Sequence, residues 1–177
     1  MFRQVLTLIM SEIRLMSGYK ESVYVMSEEI KSMKIQTRDF GEQEIALEDI
    51  ITFPNGLFAF EDARRFVLMS PLGDEASPMW LQSAEGSSPC FIVFKPTELF
   101  DNYIPELSEE DMKVLKLEDN DVLEYLVIAV IPEDYKQTTV NLKSPIIINR
   151  NKKIAIQTIL QQSFSLKHPI YQTAEGA

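Results

Sequence analysis

Thr138-Thr139-Val140-Asn141-Leu142-Lys143-Ser144-Pro145-Ile146-Ile147-Ile148-Asn149 runs on through Arg150-Asn151-Lys152-Lys153 into Ile154-Ala155-Ile156-Gln157-Thr158-Ile159-Leu160. Thr138, Val140 and Leu142 alternate with Thr139 and Asn141, a period of two that places successive side chains on opposite faces of a strand. Ile146-Ile147-Ile148, bounded by Pro145 and Asn149, reads as a short buried strand, and Asn151-Lys152-Lys153 as a turn. Ile154, Ile156, Thr158 and Leu160 then alternate with Ala155, Gln157, Ile159 and Gln161, so the second face is only partly polar.

Upstream, the same grammar continues. Val122 to Ile131 is rich in β-branched residues, stops at Pro132, and reads as a long buried strand, with a buried helix as the competing reading. Trp80-Leu81-Gln82-Ser83 and Cys90 to Phe94 read as a strand pair joined by Glu85-Gly86-Ser87-Ser88-Pro89. Phe66 to Met69, Ile50 to Phe53, Ile45 to Leu47 and Ile35 are further short apolar pieces. Pro54-Asn55-Gly56 is turn chemistry, because proline fixes φ and Asn-Gly tolerates positive φ. One segment breaks the pattern: Ser108-Glu109-Glu110-Asp111 has capping-box spacing, and Met112, Leu115 and Leu117 follow at roughly helical intervals. The expected fold is mostly β, a small barrel-like or sandwich arrangement of short antiparallel strands with one or two short helices.

Residues 1–32 differ from the rest. Phe2, Val5, Leu6, Ile9, Ile13 and Met16 follow three- and four-residue steps, a helical stripe that Gly18 ends. Two readings stay open: a helix docked on the core or a partner, or an extension upstream of the true start. The expected division is an N-terminal extension, 1–32, and a β domain, 33–177.

The chain of 177 residues carries a net charge of −10, with 45% apolar and 25% charged residues, as in an ordinary globular protein. Residues 1–32 hold four basic and four acidic side chains, so the whole excess lies in 33–177. An acidic surface repels phosphate and argues against direct nucleic-acid binding and against an anionic membrane face. It suits a basic protein partner, although solubility alone also explains it. A single cysteine, Cys90, forbids an intrachain disulfide, and no apolar run in the core is long enough to span a bilayer. The stretch Val5 to Met10 makes a poor signal peptide, so the expected compartment is the cytoplasm.

Catalytic and cofactor signatures are weak. His168 is the only histidine, so a conventional zinc site lacks ligands, and neither phosphate-loop nor dinucleotide fingerprints occur. Cys90 with His168 could imitate a nucleophile and base, but Cys90 reads as a buried strand residue, where a thiol is silenced. We therefore expect no catalytic residue, no metal and no cofactor. Two features stand out. Residues 106–124 carry eight acidic side chains against Lys113 and Lys116, a net charge of −6. Asn141 and Asn149 flank the Pro145 turn, where asparagine amides usually bond turn backbone. Both features are ordinarily structural; as partner-binding candidates they supply Glu109, Glu110, Asp111, Asn141 and Asn149.

Several motifs carry a resemblance. Phe53-Pro54-Asn55-Gly56-Leu57 with Phe60-Glu61, then Leu81-Gln82-Ser83, then Pro96 to Tyr103, and above all Asn141-Leu142-x-x-Pro145-Ile146-x-x-Asn149 followed by Gln157, occur in the order found in the FliW family of flagellar assembly factors. From Met33 to about Ile170 the chain resembles that family, whose members usually begin near the equivalent of Met33. The resemblance implies a barrel-like, mostly β, non-enzymatic protein. It further implies two partners, the RNA-binding translational repressor CsrA and flagellin. The factor keeps CsrA off the flagellin message until new flagellin competes for it. A dedicated flagellin chaperone without a regulatory arm and, more remotely, a small hydrolase using Cys90 or His168 are the alternatives.

Overall fold

The structure is a computed structural model that describes residues 31–71, 73 and 76–171. The stripe Phe2 to Met16 and nearly all of the 1–32 extension lie outside the described residues.

Eleven strands follow in chain order: β1 Ser32–Gln36, β2 Glu42–Ala46, β3 Ile50–Thr52, β4 Arg65–Met69, β5 Met79–Ser83, β6 Cys90–Phe94, β7 Leu123–Val130, β8 Thr139–Val140, β9 Ile146–Asn149, β10 Ile154–Gln157 and β11 His168–Pro169. The α-helix α1 spans Glu109–Val114, and single 3-10 turns occupy Leu47–Asp49, Pro96–Glu98 and Tyr135–Gln137. Strands β7, β6, β5, β4, β3, β10 and β9 pair in that order, and β9 pairs back onto β7, closing a seven-stranded barrel. All these contacts are antiparallel except β3 with β10, which run parallel. Closure leaves the barrel strands without a free sheet edge.

Each barrel strand turns apolar side chains inward. Ile51, Phe66, Met79, Leu81, Val93, Leu126, Ile146, Ile148 and Ala155 form one buried cluster with Phe53 and Leu57. Phe53 and Phe66 meet edge-on, 5.0 Å between ring centres. Burying one such ring is worth about 2–3 kcal/mol.

The outer wall is covered in three places. The β1–β2 hairpin lays Ile35 and Ile45 on Val67 and Ala84. Gln82, almost fully buried, fixes that hairpin: its side-chain oxygen accepts from the Arg38 amide at 3.0 Å, and its nitrogen donates to the Ser83 and Gly86 carbonyls. Helix α1 and its flanks place Leu107, Val114 and Leu115 over Ile147 and Ile156. The third cover packs Tyr103, Leu142 and Leu160 on Val127 and Val140, with β8 and β11 continuing the sheet beyond the barrel.

This arrangement corrects three readings. The pattern Ile154/Ile156 suggests which face of β10 is apolar, yet the barrel interior receives Ala155, and Ile156 lies outside beneath α1. Ala155 and Ile156 are therefore buried on opposite faces, the outer one because a helix covers the wall there. Leu142 is buried as its alternation suggests, but β8 has already ended at Val140. The edge of β7 opposite β6 takes β9 along Leu123–Leu126 and β8 along Ala129–Val130, and residues 141–145 bulge between them. Cys90 opens β6 half-buried, beside Arg38 on the outer face, and burial pushes its thiol pKa up.

The bulge is held by Tyr103, whose hydroxyl donates to the Leu142 carbonyl at 2.8 Å inside the third cover. Burial pushes this phenol well above its ordinary value. Tyr103→Phe removes the only side-chain donor to that carbonyl among the described residues and is expected to cost about 1–2 kcal/mol in urea unfolding. A loss within error would show that water replaces the hydroxyl.

Candidate functional site

The acidic segment is built on α1. Ser108 caps the helix: its hydroxyl accepts from the Asp111 amide at 3.1 Å, and the Asp111 carboxylate accepts from the Ser108 amide at 3.0 Å. This is the capping box that the spacing of Ser108 and Asp111 predicts. Three acidic side chains in the first turn also complement the helix dipole.

A polar clasp holds the far end of α1 to the barrel. Asn149, fully buried at the end of β9, donates to the Leu115 carbonyl at 3.0 Å and to the Asp121 carboxylate at 2.8 Å. Its oxygen accepts from the amides of Asn151 and Lys152 in the β9–β10 turn. The Lys152 ammonium reaches Glu118 at 2.9 Å and Asp121 at 3.0 Å, and also donates to the Lys116 carbonyl. Burial opposes ionisation of Asp121, but the Asn149 amide, Lys152 and the Glu118 amide outweigh it and hold the carboxyl below its usual range.

The eight acidic residues of 106–124 therefore divide. Asp111 caps the helix, Glu118 and Asp121 hold Lys152, and Glu124 is paired with Arg150 at 2.9 Å and Lys95 at 3.6 Å. Glu106, Glu109, Glu110 and Asp119 have no ion-pair partner among the described residues, and all four are exposed. Sequence alone did not separate the two groups, since the cations come from distant segments, Lys95 just past β6 and Arg150 and Lys152 in the β9–β10 turn.

Asn141 and Asn149 are not neighbours on one face. Asn141 donates its backbone amide to the Ile128 carbonyl, and its side-chain oxygen accepts from the Ser144 amide at 3.0 Å, shaping the bulge. Asn149 is enclosed beneath α1. Cys90 and His168 do not form a dyad. His168 lies in β11, edge-on to Phe100 at 4.4 Å, and β8 and β7 stand between β11 and β6. At about 4.8 Å per strand that is roughly 14 Å. Among the described residues, no three His, Cys, Asp or Glu side chains converge as metal ligands do, and no helix is long and apolar enough to cross a membrane.

The sequence profile of the FliW protein family matches residues 34–170. The chain belongs to the FliW family. Flagellar assembly factor FliW of Natranaerobius thermophilus is 38% identical over 142 residues, 78% of this chain and 93% of that protein. The Bdellovibrio bacteriovorus protein of the same name is 38% identical over 140 residues, 78% of this chain and 79% of that protein. The crystal structure of the flagellar assembly factor FliW superposes with a TM-score of 0.74 at 28% identity, over 80% of this chain and 99% of that one. Flagellar assembly is thus the role of the family, and the β-barrel is its fold.

FliW motif residues explain the framework here. Gly56 lets the turn at Glu61 close, Gln82 ties the hairpin, Asn149 clasps α1, and Gln157 accepts the Phe58 amide at 3.0 Å. Sequence reasoning missed Gln162, which bridges the Ile104 carbonyl and the Glu106 amide at 2.9 and 2.8 Å. A long-range side-chain bridge across 56 positions leaves no local signature in a sequence.

Proposed function

We propose that this FliW-family chain is a cytoplasmic, non-enzymatic assembly factor that binds a CsrA-like translational repressor and flagellin, and so couples the flagellin level to translation of its message. The observation that carries the reading is the exposed acidic set: Glu109 and Glu110 in the first turn of α1, with Glu106 before that helix and Asp119 after it, the helix being clasped to a closed barrel. A rigid acidic face suits a basic RNA-binding protein and repels the RNA itself. In this reading Glu109 and Glu110 meet the partner, while Asp111, Asn141 and Asn149 act on binding by holding the surface in shape.

Exposed ion pairs add little to final affinity, so the face acts chiefly on the encounter rate. The variant Glu109→Lys/Glu110→Lys is expected to slow association with a purified CsrA-type protein about three- to tenfold at low salt. The difference should vanish near 1 M salt, where the Debye length is about 3 Å. Dissociation changes less, and flagellin binding less still. Asp111 is kept in this variant because its carboxylate caps α1. Surface plasmon resonance at two ionic strengths reads both rates. An unchanged association rate at low salt would reduce the face to a solvated surface, and binding of flagellin alone would make the protein a chaperone without a regulatory arm.

A further inference from the structure

One end of the barrel is hollow. The starts of β3, β5 and β10 and the ends of β4 and β9 meet there, around a cavity of about 240 Å³. Its floor is the top of the core: Ile51 and Met79, both almost fully buried, with Leu68 packed beside them. The period of two along each strand carries polar residues onto the rim. Ser70 stands two positions beyond Leu68, Arg150 two beyond Ile148 and Lys153 two before Ala155, and Ile148 and Ala155 both face the barrel interior. Asp49, two positions before Ile51, lines the same cavity.

The charges of this rim are not equivalent. Arg150 is engaged with Glu124 at 2.9 Å. Asp49 and Lys153 have no ion-pair or side-chain hydrogen-bond partner among the described residues, and they do not pair with each other although they share one cavity. The Ser70 hydroxyl donates to the Gly73 carbonyl at 3.0 Å, so its oxygen is left to accept. The cavity thus presents a cationic donor, an anion with a hydroxyl oxygen, and an apolar floor. A ligand of one charge leaves one wall unmatched, whereas a zwitterion with an apolar side chain matches all three. Barrel mouths are recurrent ligand sites, and this volume lies below the range of about 300–1,000 Å³ that drug-sized ligands occupy, which sets the ligand at the size of a single amino acid.

We propose that this mouth binds a free apolar α-amino acid, with its carboxylate at Lys153, its ammonium at Asp49 and Ser70, and its side chain over Ile51, Leu68 and Met79. The low-dielectric floor strengthens both charge contacts relative to open water. The site is separate from the acidic face of α1, and the proposal does not rest on the protein partners inferred above.

Isothermal titration of the full chain with leucine, methionine, valine and phenylalanine tests it. Glycine, isocaproate and isoamylamine are the controls that lack, in turn, the side chain, the ammonium and the carboxylate. At least one of the four amino acids should bind saturably, and each control should bind at least about tenfold more weakly. The decisive variant is Lys153→Gly. Position 153 sits at φ +51°, where glycine is the less strained residue, so the ammonium is removed while the fold is kept or stabilised. It should weaken binding about tenfold with an unchanged or higher urea midpoint, and Asp49→Asn should weaken binding to a similar extent. Amide shifts on binding should centre on Asp49, Ser70 and Lys153. No saturable binding of any of the four amino acids, equal binding by Lys153→Gly and the parent, isocaproate binding as tightly as the amino acid, or shifts centred elsewhere would each overturn the proposal.

Discussion

Replacing Gly56 with alanine is expected to cost this protein on the order of 3–5 kcal/mol, a large part of the usual stability of a domain. Gly56 sits at φ +69°, where an L-residue with a Cβ is strained. A Cβ built there lies 2.5 Å from the Glu61 Cα and 2.6 and 2.7 Å from its carbonyl oxygen and carbon. These are backbone atoms, so no rotamer change relieves the clash. The loop cannot easily shift either: Gly56 donates to the Phe53 carbonyl, Leu57 and Phe60 pair across the next turn, and the Arg64 guanidinium holds the Pro54 carbonyl. Leu57 and Phe53 are core residues, so any movement opens the barrel end. Valine at position 56 adds β-branching and should be worse. Partner binding should fall only in proportion to the unfolded fraction. Ala59 gives the internal control, because it occupies φ +66° with its methyl already accommodated, and Ala59→Gly should be neutral or slightly stabilising. Urea unfolding decides it: a loss below about 1 kcal/mol for Gly56→Ala would mean that the turn relaxes at little cost.

The second large effect is expected at Asn149. Alanine there removes two donated and two accepted bonds in a fully buried place. The Leu115 carbonyl loses its side-chain donor and the Asp121 carboxylate keeps only Lys152 and the Glu118 amide, for a cost of about 2–4 kcal/mol. Because the clasp holds α1, hydrogen exchange should quicken across 108–118 more than in β4 or β5, and binding of a basic partner should weaken although Glu109 and Glu110 are untouched. Asn149→Asp tests the sign of the electrostatics. A buried carboxyl beside Asp121 has its pKa raised in the folded state, so its penalty is smallest below the unfolded value near 4 and grows as pH rises through the folded pKa. Its deficit against the parent should therefore be smaller at pH 5 than at pH 7. Uniform exchange across the chain in Asn149→Ala would show that α1 does not depend on this clasp.

Local signals determined much of this protein. The capping box at Ser108 and Asp111, the turn at Gly56, the length of β7 and the β5–β6 pairing all depend on residues close in sequence or on a strict period of two, so they could be read before any coordinates. The same holds for membership of the FliW family, whose motifs lie along the chain in order. Only tertiary structure decided what depends on distant groups. Barrel closure requires β9 to meet β7, and no local pattern specifies that partner. On β10, helix α1 covers Ile156 while Ala155 enters the barrel, so these two neighbours are buried on opposite faces of the strand. The acidic segment looks uniform in sequence, yet Lys152, Arg150 and Lys95 neutralise one part of it and leave Glu106, Glu109, Glu110 and Asp119 outward. Charge pairing and exposure depend on which strands lie side by side, and that is set by closure of the barrel rather than by any residue's neighbours in the chain.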